Sequence, residues 1–288
     1  MKAKKLSKKI IAIIVCAVFV GIIVITACSM QIAFVVADKI ECWRPAYGML
    51  ASAEIDGILN KEQLSEEDYK VLYAQTGLTK TGVDRALKKD YIGKQLIKTI
   101  QKNYFGEYKV DNRLFAPFVC TDYIDKTVTS IYLEEGDIIV TSSTHIAGVR
   151  IGHSGLVVNG AAKRVLQADA YGSTSRIEDV TDFMQRVNFM VLRVKDSSAD
   201  AQKKQEVVDY AVENLQGIAY EGLAGLLTDK NKIKKTQCSH LVWYAYKQVA
   251  GIDLDGNGGL IVTPKNIAAS EHVEVVQVFG FDPVKLWK

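Results

Sequence analysis

The chain has 288 residues, 48% of them apolar and 24% charged, a balance that excludes disorder as its main theme. Its net charge of +3 is uneven: five lysines (Lys2, Lys4, Lys5, Lys8 and Lys9) fall in the first nine residues, and the other 279 carry 31 basic against 33 acidic groups. So slightly acidic a body has no electrostatic footprint for DNA or RNA, and nucleic acid is not expected as a partner.

Residues 1–9 form a basic tail. From Ile10 to Ala37 none of the 28 residues is charged, and as a helix they would span about 42 Å, more than the ~30 Å hydrocarbon core. A uniformly apolar helix of this length has no solvated face, which argues against a buried core helix. Lysines precede the run, and Asp38 and Glu41 follow it. The positive-inside rule then keeps the N-terminus cytoplasmic and exports the rest. The expectation is a single-pass anchor over 10–37 in the cell membrane, with an extracellular body. A cleaved signal peptide would need a shorter run. Ile25-Thr26-Ala27-Cys28 also resembles a bacterial lipobox, so lipidation at Cys28 is the alternative anchor. The chain stays apolar from Met30 to Ala37, where a mature lipoprotein would turn polar. Cys16 and Cys28 lie in this run. Outside the cytoplasm, the odd remainder of Cys42, Cys120 and Cys238 suggests one pair and one reactive thiol. Cys42 and Cys120 are the candidate pair, two free thiols being equally open, and Cys238 is left over.

Residues 38–130 read as mainly helical, a spacer or cap without chemistry of its own. Ser65 opens a helix with Glu66, Glu67 and Asp68 in its first turn, and Gly77 stops it. Further helices are expected from about Thr81 through Leu87 and through Leu96 and Ile100. From about Ile131 the texture changes, and residues 131–288 read as the catalytic domain. Strands are expected at Ile138–Val140, His153–Val158 and Val165–Ala168, the last two antiparallel across Asn159-Gly160. Ser175-Arg176-Ile177-Glu178 has the spacing of a capping box, which predicts a helix reaching about Arg186. A strand at Phe189–Val194, a helix from about Ala199 to Leu215, a helix from Cys238 to Gly251 and a strand at Val273–Val278 complete the pattern. Strands and helices without strict alternation indicate an α+β fold.

The informative stretch runs from Thr236 to Tyr246. Leu241, Val242, Ala245 and Val249 recur at helical spacing, which puts Cys238 in the first turn. There the free N–H groups and the helix dipole favour a thiolate, the nucleophilic form. A base must come from elsewhere, because His240 points about 200° away on the same helix. His145, in a Ser/Thr stretch, and His272 read as surface groups. His153 opens a strand between small neighbours, in Gly152-His153-Ser154-Gly155, which leaves room for close approach.

Gly136-Asp137-Ile138-Ile139, Gly152-His153-Ser154-Gly155 and Cys238-Ser239 with Leu241-Val242-Trp243 and Ala245-Tyr246 together resemble the permuted papain-like cysteine amidases of the YaeF/YiiX type, a branch of the NlpC-like superfamily. Gly251-Ile252-Asp253-Leu254-Asp255, with Val262, Pro264, Ile267 and Ser270 after it, fits the same pattern. The resemblance covers about half the chain. It implies a circularly permuted papain-like domain, a small antiparallel sheet packed on helices, with the histidine before the cysteine. Cys238 maps to the nucleophile and His153 to the base. The group that orients the imidazole, usually Glu, maps to Gln167, with Asp169 in reserve on the same face. An amide can accept the imidazole N–H and fix the tautomer, but stabilises an imidazolium less than a carboxylate does.

No cofactor or metal is expected. Asp253-Leu254-Asp255-Gly256-Asn257-Gly258 matches the start of a calcium loop, but Pro264 stands where the bidentate Glu belongs. Cys238, His153 and His240 lack zinc-site spacing. Lys230, Lys232, Lys234 and Lys235 read as a solvated loop, or as a rim attracting an anionic substrate. The expected function is an exported cysteine hydrolase of amide bonds, with cell-wall peptide as substrate. Two alternatives stand beside it. One is a lipid acyltransferase or thioesterase on the same fold; the other is a surface-binding module whose Cys and His are inert.

Overall fold

The structure is a computed structural model, and it describes residues 7–40, 51–111, 119–146 and 149–280. It opens on helix α1 (Lys8–Ile40). Within it Lys8–Ser29 has a mean hydropathy of 3.2, and none of that stretch is buried in the protein. At 1.5 Å per residue it reaches about 33 Å, enough to cross a bilayer core.

Four helices follow: α2 (Asp56–Leu59), α3 (Glu66–Thr76), α4 (Lys80–Leu87) and α5 (Asp90–Tyr104). At the head of α3 the Asp68 N–H donates to Ser65 Oγ (3.2 Å) and the Ser65 N–H to Asp68 Oδ2 (2.9 Å), a reciprocal cap. Helix does not continue to residue 130 as expected. Between Tyr104 and residue 130 the described residues carry only the short strands β1 (Val110–Asp111), β2 (Val119–Thr121) and β3 (Tyr123–Ile124). Gly106 and the β-branched Val110, Val119, Thr121 and Ile124 disfavour helix there.

The rest comprises β4 (Ile138–Thr141), β5 (Thr144–Ile146), β6 (Val149–Arg150), β7 (His153–Asn159), β8 (Arg164–Gln167), β9 (Arg176–Asp179), α6 (Thr181–Met184), β10 (Phe189–Val194), α7 (Ala201–Asn214), α8 (Cys238–Ala250), α9 (Pro264–Ala268) and β11 (Val273–Phe279). Six strands form one sheet in the order β11-β10-β4-β7-β8-β9, antiparallel at every pairing. Side chains alternate between its faces. Ile138, Val140, Leu156, Leu166, Met190 and Leu192 pack with α7 and α8. Ile139, Val157, Val165, Phe189 and Val191 pack with Leu72, Val83, Ile97 and Ile100 of α3–α5. Covering both faces explains why β10 is apolar almost throughout. The α3–α5 segment is fastened at the β11 edge, where Thr79 Oγ1 donates to Val275 O (2.6 Å) and Thr81 Oγ1 to Glu274 Oε2 (2.8 Å). The mixed helix-and-sheet class is as read from the sequence.

Two local expectations fail. Residues 176–179 are strand β9, not the first turn of a helix. They pair with β8 in the register Gln167↔Arg176 and Val165↔Glu178. The Ser175 hydroxyl cannot cap a helix because it donates to Leu215 O (2.6 Å) and accepts the Ile218 N–H (2.9 Å). His145 is not a surface group either; it is fully buried in β5, with Nε2 3.1 Å from Asp122 Oδ1.

One ion cluster locks the sheet from inside. Arg193 of β10 donates to both oxygens of Asp137, from Nε (2.7 Å) and Nη2 (2.6 Å), and its Nη1 lies 3.0 Å from Glu134. The guanidinium stacks on the Tyr132 ring at 5.5 Å.

Candidate active site

Cys238 is the first residue of α8. The N-cap is Gln237, whose Oε1 accepts the Ser239 N–H (2.8 Å) while its Nε2 donates to Val262 O (2.6 Å). Held at both ends, the amide fixes where the helix begins. Leu241, Val242 and Ala245 are fully buried, and Gly251 closes the helix in the left-handed region that a residue with a Cβ resists. Burial of the apolar face orients α8, and the cap sets which residue meets the strands.

The strand side is set by Gly152. Its φ is +70°, and a Cβ there would stand 2.6 Å from Thr141 O. Only glycine makes that bend, which delivers His153 as the first residue of β7. His153 Nε2 lies 2.7 Å from Gln167 Oε1 on the neighbouring strand β8, and the imidazole stacks on Phe183 with centroids 5.2 Å apart. The Cys238 thiol donates to Gln237 Oε1 (3.2 Å), and the strand that carries His153 packs against α8. Ser239 Oγ lies 3.7 Å from Cys238 Sγ and 3.0 Å from Ser154 Oγ. All of Cys238, His153 and Gln167 are buried.

This environment decides the charge of the sulfur. Burial pushes the Cys238 thiol up; the neighbouring His153, then Ser239 and Ser154, outweigh it and bring the thiol down to about 7.

Asp169 serves elsewhere. It accepts from Arg176 at 3.0 and 2.8 Å and from Ser173 Oγ at 3.1 Å. Burial works against its ionisation, but the Arg176 guanidinium outweighs burial and holds the carboxyl below its ordinary range. His240 is occupied by Thr236 Oγ1 (3.1 Å) and Lys230 O (2.8 Å), and His272 by Ser198 Oγ (3.1 Å).

Two neighbours escaped the sequence reading. Glu178 of β9 accepts from Gln167 Nε2 at 2.6 Å, and its other oxygen accepts from Arg176 Nε at 2.6 Å. Tyr220 runs parallel to Thr236, two residues before the cysteine. Burial, then the nearby Cys238, push its phenol up.

Among the described residues no group of three or more His, Cys, Asp or Glu side chains is arranged to hold a metal ion. In the calcium-like loop, Lys230 Nζ donates to Asp255 Oδ2 (2.5 Å) and Gly259 O (2.8 Å), while Asp253 accepts from Trp243 Nε1 (2.7 Å) and Lys247 Nζ (3.0 Å). Lys230 is thus a tucked-in counter-ion, in contrast to its expected place in a solvated run. Cys120 is a free thiol among the described residues, and Cys42 lies outside them.

Residues 132–265 match the family model of the permuted papain-like amidase enzymes, YaeF/YiiX, C92 family. The resemblance read from the sequence is to that family. The matched segment is a little under half of the chain and contains Cys238, His153, Gln167 and Glu178. The family is one of amide-bond hydrolases. Among solved structures, the chain is similar to the metalloprotein yiiX from Escherichia coli O157:H7, at 14% identity and a TM-score of 0.40, over 55% of this chain and 100% of that one. No curated protein matches the chain.

Proposed function

We propose that this protein is an exported, membrane-anchored cysteine amidase whose nucleophile is Cys238, whose base is His153 and whose imidazole-orienting residue is Gln167. One observation carries the reading: a buried thiol starts a helix, the adjoining Ser239 meets Ser154 beside His153 at 3.0 Å, and the imidazole is tied through Nε2 to an amide oxygen at 2.7 Å. His153 accepts the thiol proton at Nδ1, and the thiolate adds to the carbonyl carbon of an amide. The backbone N–H of Cys238, at the start of α8, is the proposed donor to the developing oxyanion. His153 then protonates the leaving amine, and water releases the acyl group and restores the thiol.

Residues 10–37 serve as the anchor in this reading, residues 38–130 as a structural segment and residues 131–288 as the catalytic domain. Cell-wall peptide is the proposed substrate, from the compartment that the apolar helix implies. A second reading, lipid acyl transfer or thioester hydrolysis, has a specific observation behind it. Leu226, Leu227 and Leu260 are 53–65% exposed, and the Gly225 backbone that precedes the first two lies against Leu260. Such a rim suits an acyl chain.

Site-mapped alkylation of Cys238 across pH tests the chemistry, and Cys238→Ala tests its consequence. The thiol is expected to titrate near 7, and Cys238→Ala to abolish turnover without unfolding the protein. A thiol that titrates near the ordinary ~8.5 with or without His153 overturns the amidase in favour of an inert binding module. Incubation with wall fragments and with lipid vesicles separates the substrates. Released amino groups support the first reading; released fatty acid supports the second.

A further inference from the structure

We propose that Glu178 is a positioning residue that acts on His153 through Gln167, fixing both the orientation of the amide and the tautomer of the imidazole. The inference rests on the Cys238–His153 reading and deepens it.

The bonds run in one line. His153 Nε2 meets Gln167 Oε1 at 2.7 Å, and Gln167 Nε2 donates to Glu178 Oε2 at 2.6 Å. A primary amide is ambiguous by itself, since either end can face a partner with nearly the same shape. An ionised carboxylate only accepts. Placed at Glu178, it draws the –NH2 end of Gln167 to itself and leaves the carbonyl oxygen facing His153. That oxygen only accepts, so Nε2 of the imidazole must carry a hydrogen. Nδ1 is then bare, the form that can take a proton from Cys238.

With the amide reversed, its N–H would point at Nε2 and select the other tautomer, with hydrogen already on Nδ1. The thiol proton would have nowhere to go. The carboxylate therefore supplies what the amide lacks, a sense of direction. It also places a negative charge within reach of the imidazolium that forms when sulfur loses its proton.

Glu178 is itself aimed. Its Oε1 is engaged by Arg176 Nε at 2.6 Å, and the same guanidinium grips Asp169 at 3.0 and 2.8 Å. Arg176 sits opposite Gln167 in the β8–β9 register, so the edge pairing aligns the whole line.

The test uses the full chain in detergent micelles, with iodoacetamide as the probe and Cys238 alkylation read by mass spectrometry from about pH 5 to pH 10. Wild type, Glu178→Gln, Gln167→Glu/Glu178→Gln and His153→Ala are compared, with circular dichroism to confirm folding. Glu178→Gln keeps the shape but removes the charge and the acceptor-only character. It is expected to raise the midpoint by about half a unit to one unit, and the double variant, which places the carboxylate directly on the imidazole, to return it to the wild-type value or below. If Glu178→Gln folds and keeps the wild-type midpoint within about 0.2 units while His153→Ala raises it, Glu178 is only a strand residue and the inference falls alone. If wild type and His153→Ala titrate alike, the Cys–His reading falls and takes this inference with it.

Discussion

Two arginines on the same sheet each hold two carboxylates, and they differ in one respect. Arg193 joins Asp137 and Glu134 with its side chain 2% exposed, whereas Arg176 joins Asp169 and Glu178 with its side chain 39% exposed. Inside the protein the guanidinium is committed. Its loss would leave Asp137 as a buried charge without its partner, so the cluster acts on stability. At the β9 edge water shares the load, and the net energy of each contact is small. What the outer cluster can supply is direction, passed along hydrogen bonds to Gln167 and His153. The same pair of residue types thus serves folding in one place and chemistry in another, according to solvent access.

The sharpest break between the two is expected from Arg193→Ala. It should cost about 3–5 kcal/mol in urea or thermal unfolding while the folded fraction keeps its thiol titration unchanged. A loss under about 1 kcal/mol would erase the distinction. Next in size is His153→Ala. Without the imidazolium, burial alone governs the sulfur, so the thiol midpoint should climb from about 7 by about two units, equivalent to ~2.7 kcal/mol between the two protonation states. Alkylation should then be lost at neutral pH and regained only in alkali, with circular dichroism confirming that the variant is folded.

The reading of the sequence fared best where the signal was local. The run Phe189–Val194, and the helix from Cys238 with its glycine stop, carry their own boundaries in composition. Cys238, His153 and Gln167 were grouped by family resemblance, because nothing in their spacing of 14 and 71 residues brings them together. Glu178 was hidden by a false local pattern. Ser175 and Glu178 stand three apart, as in a capping box, but the serine hydroxyl is claimed by Leu215, 40 residues away, and the strand is held by β8. The alternation of Arg176, Ile177 and Glu178 was a period-two signal that favoured a strand. Lys230 escaped for a similar reason, its partner Asp255 being 25 residues further on.

Smaller effects sharpen the outer cluster. Asp169→Asn removes one of the two anchors of Arg176 and a distant negative charge from the imidazolium. The thiol midpoint should rise by only a few tenths of a unit, with under about 1 kcal/mol lost in stability, as read by alkylation and urea unfolding. The smallest change is expected for Lys232→Ala. Its pair with Asp229 is 70% and 47% exposed, and stability should stay within about 0.5 kcal/mol.

The ammonium of Lys230 gives the acidic loop a cation that is part of the chain. It reaches Asp255 and Gly259 while its own carbonyl receives His240 from α8. A tethered ion cannot be diluted, exchanged or drawn off by a chelator, and its local concentration is set by covalent geometry alone. The loop behind the nucleophile helix is therefore expected to melt alike with and without EGTA.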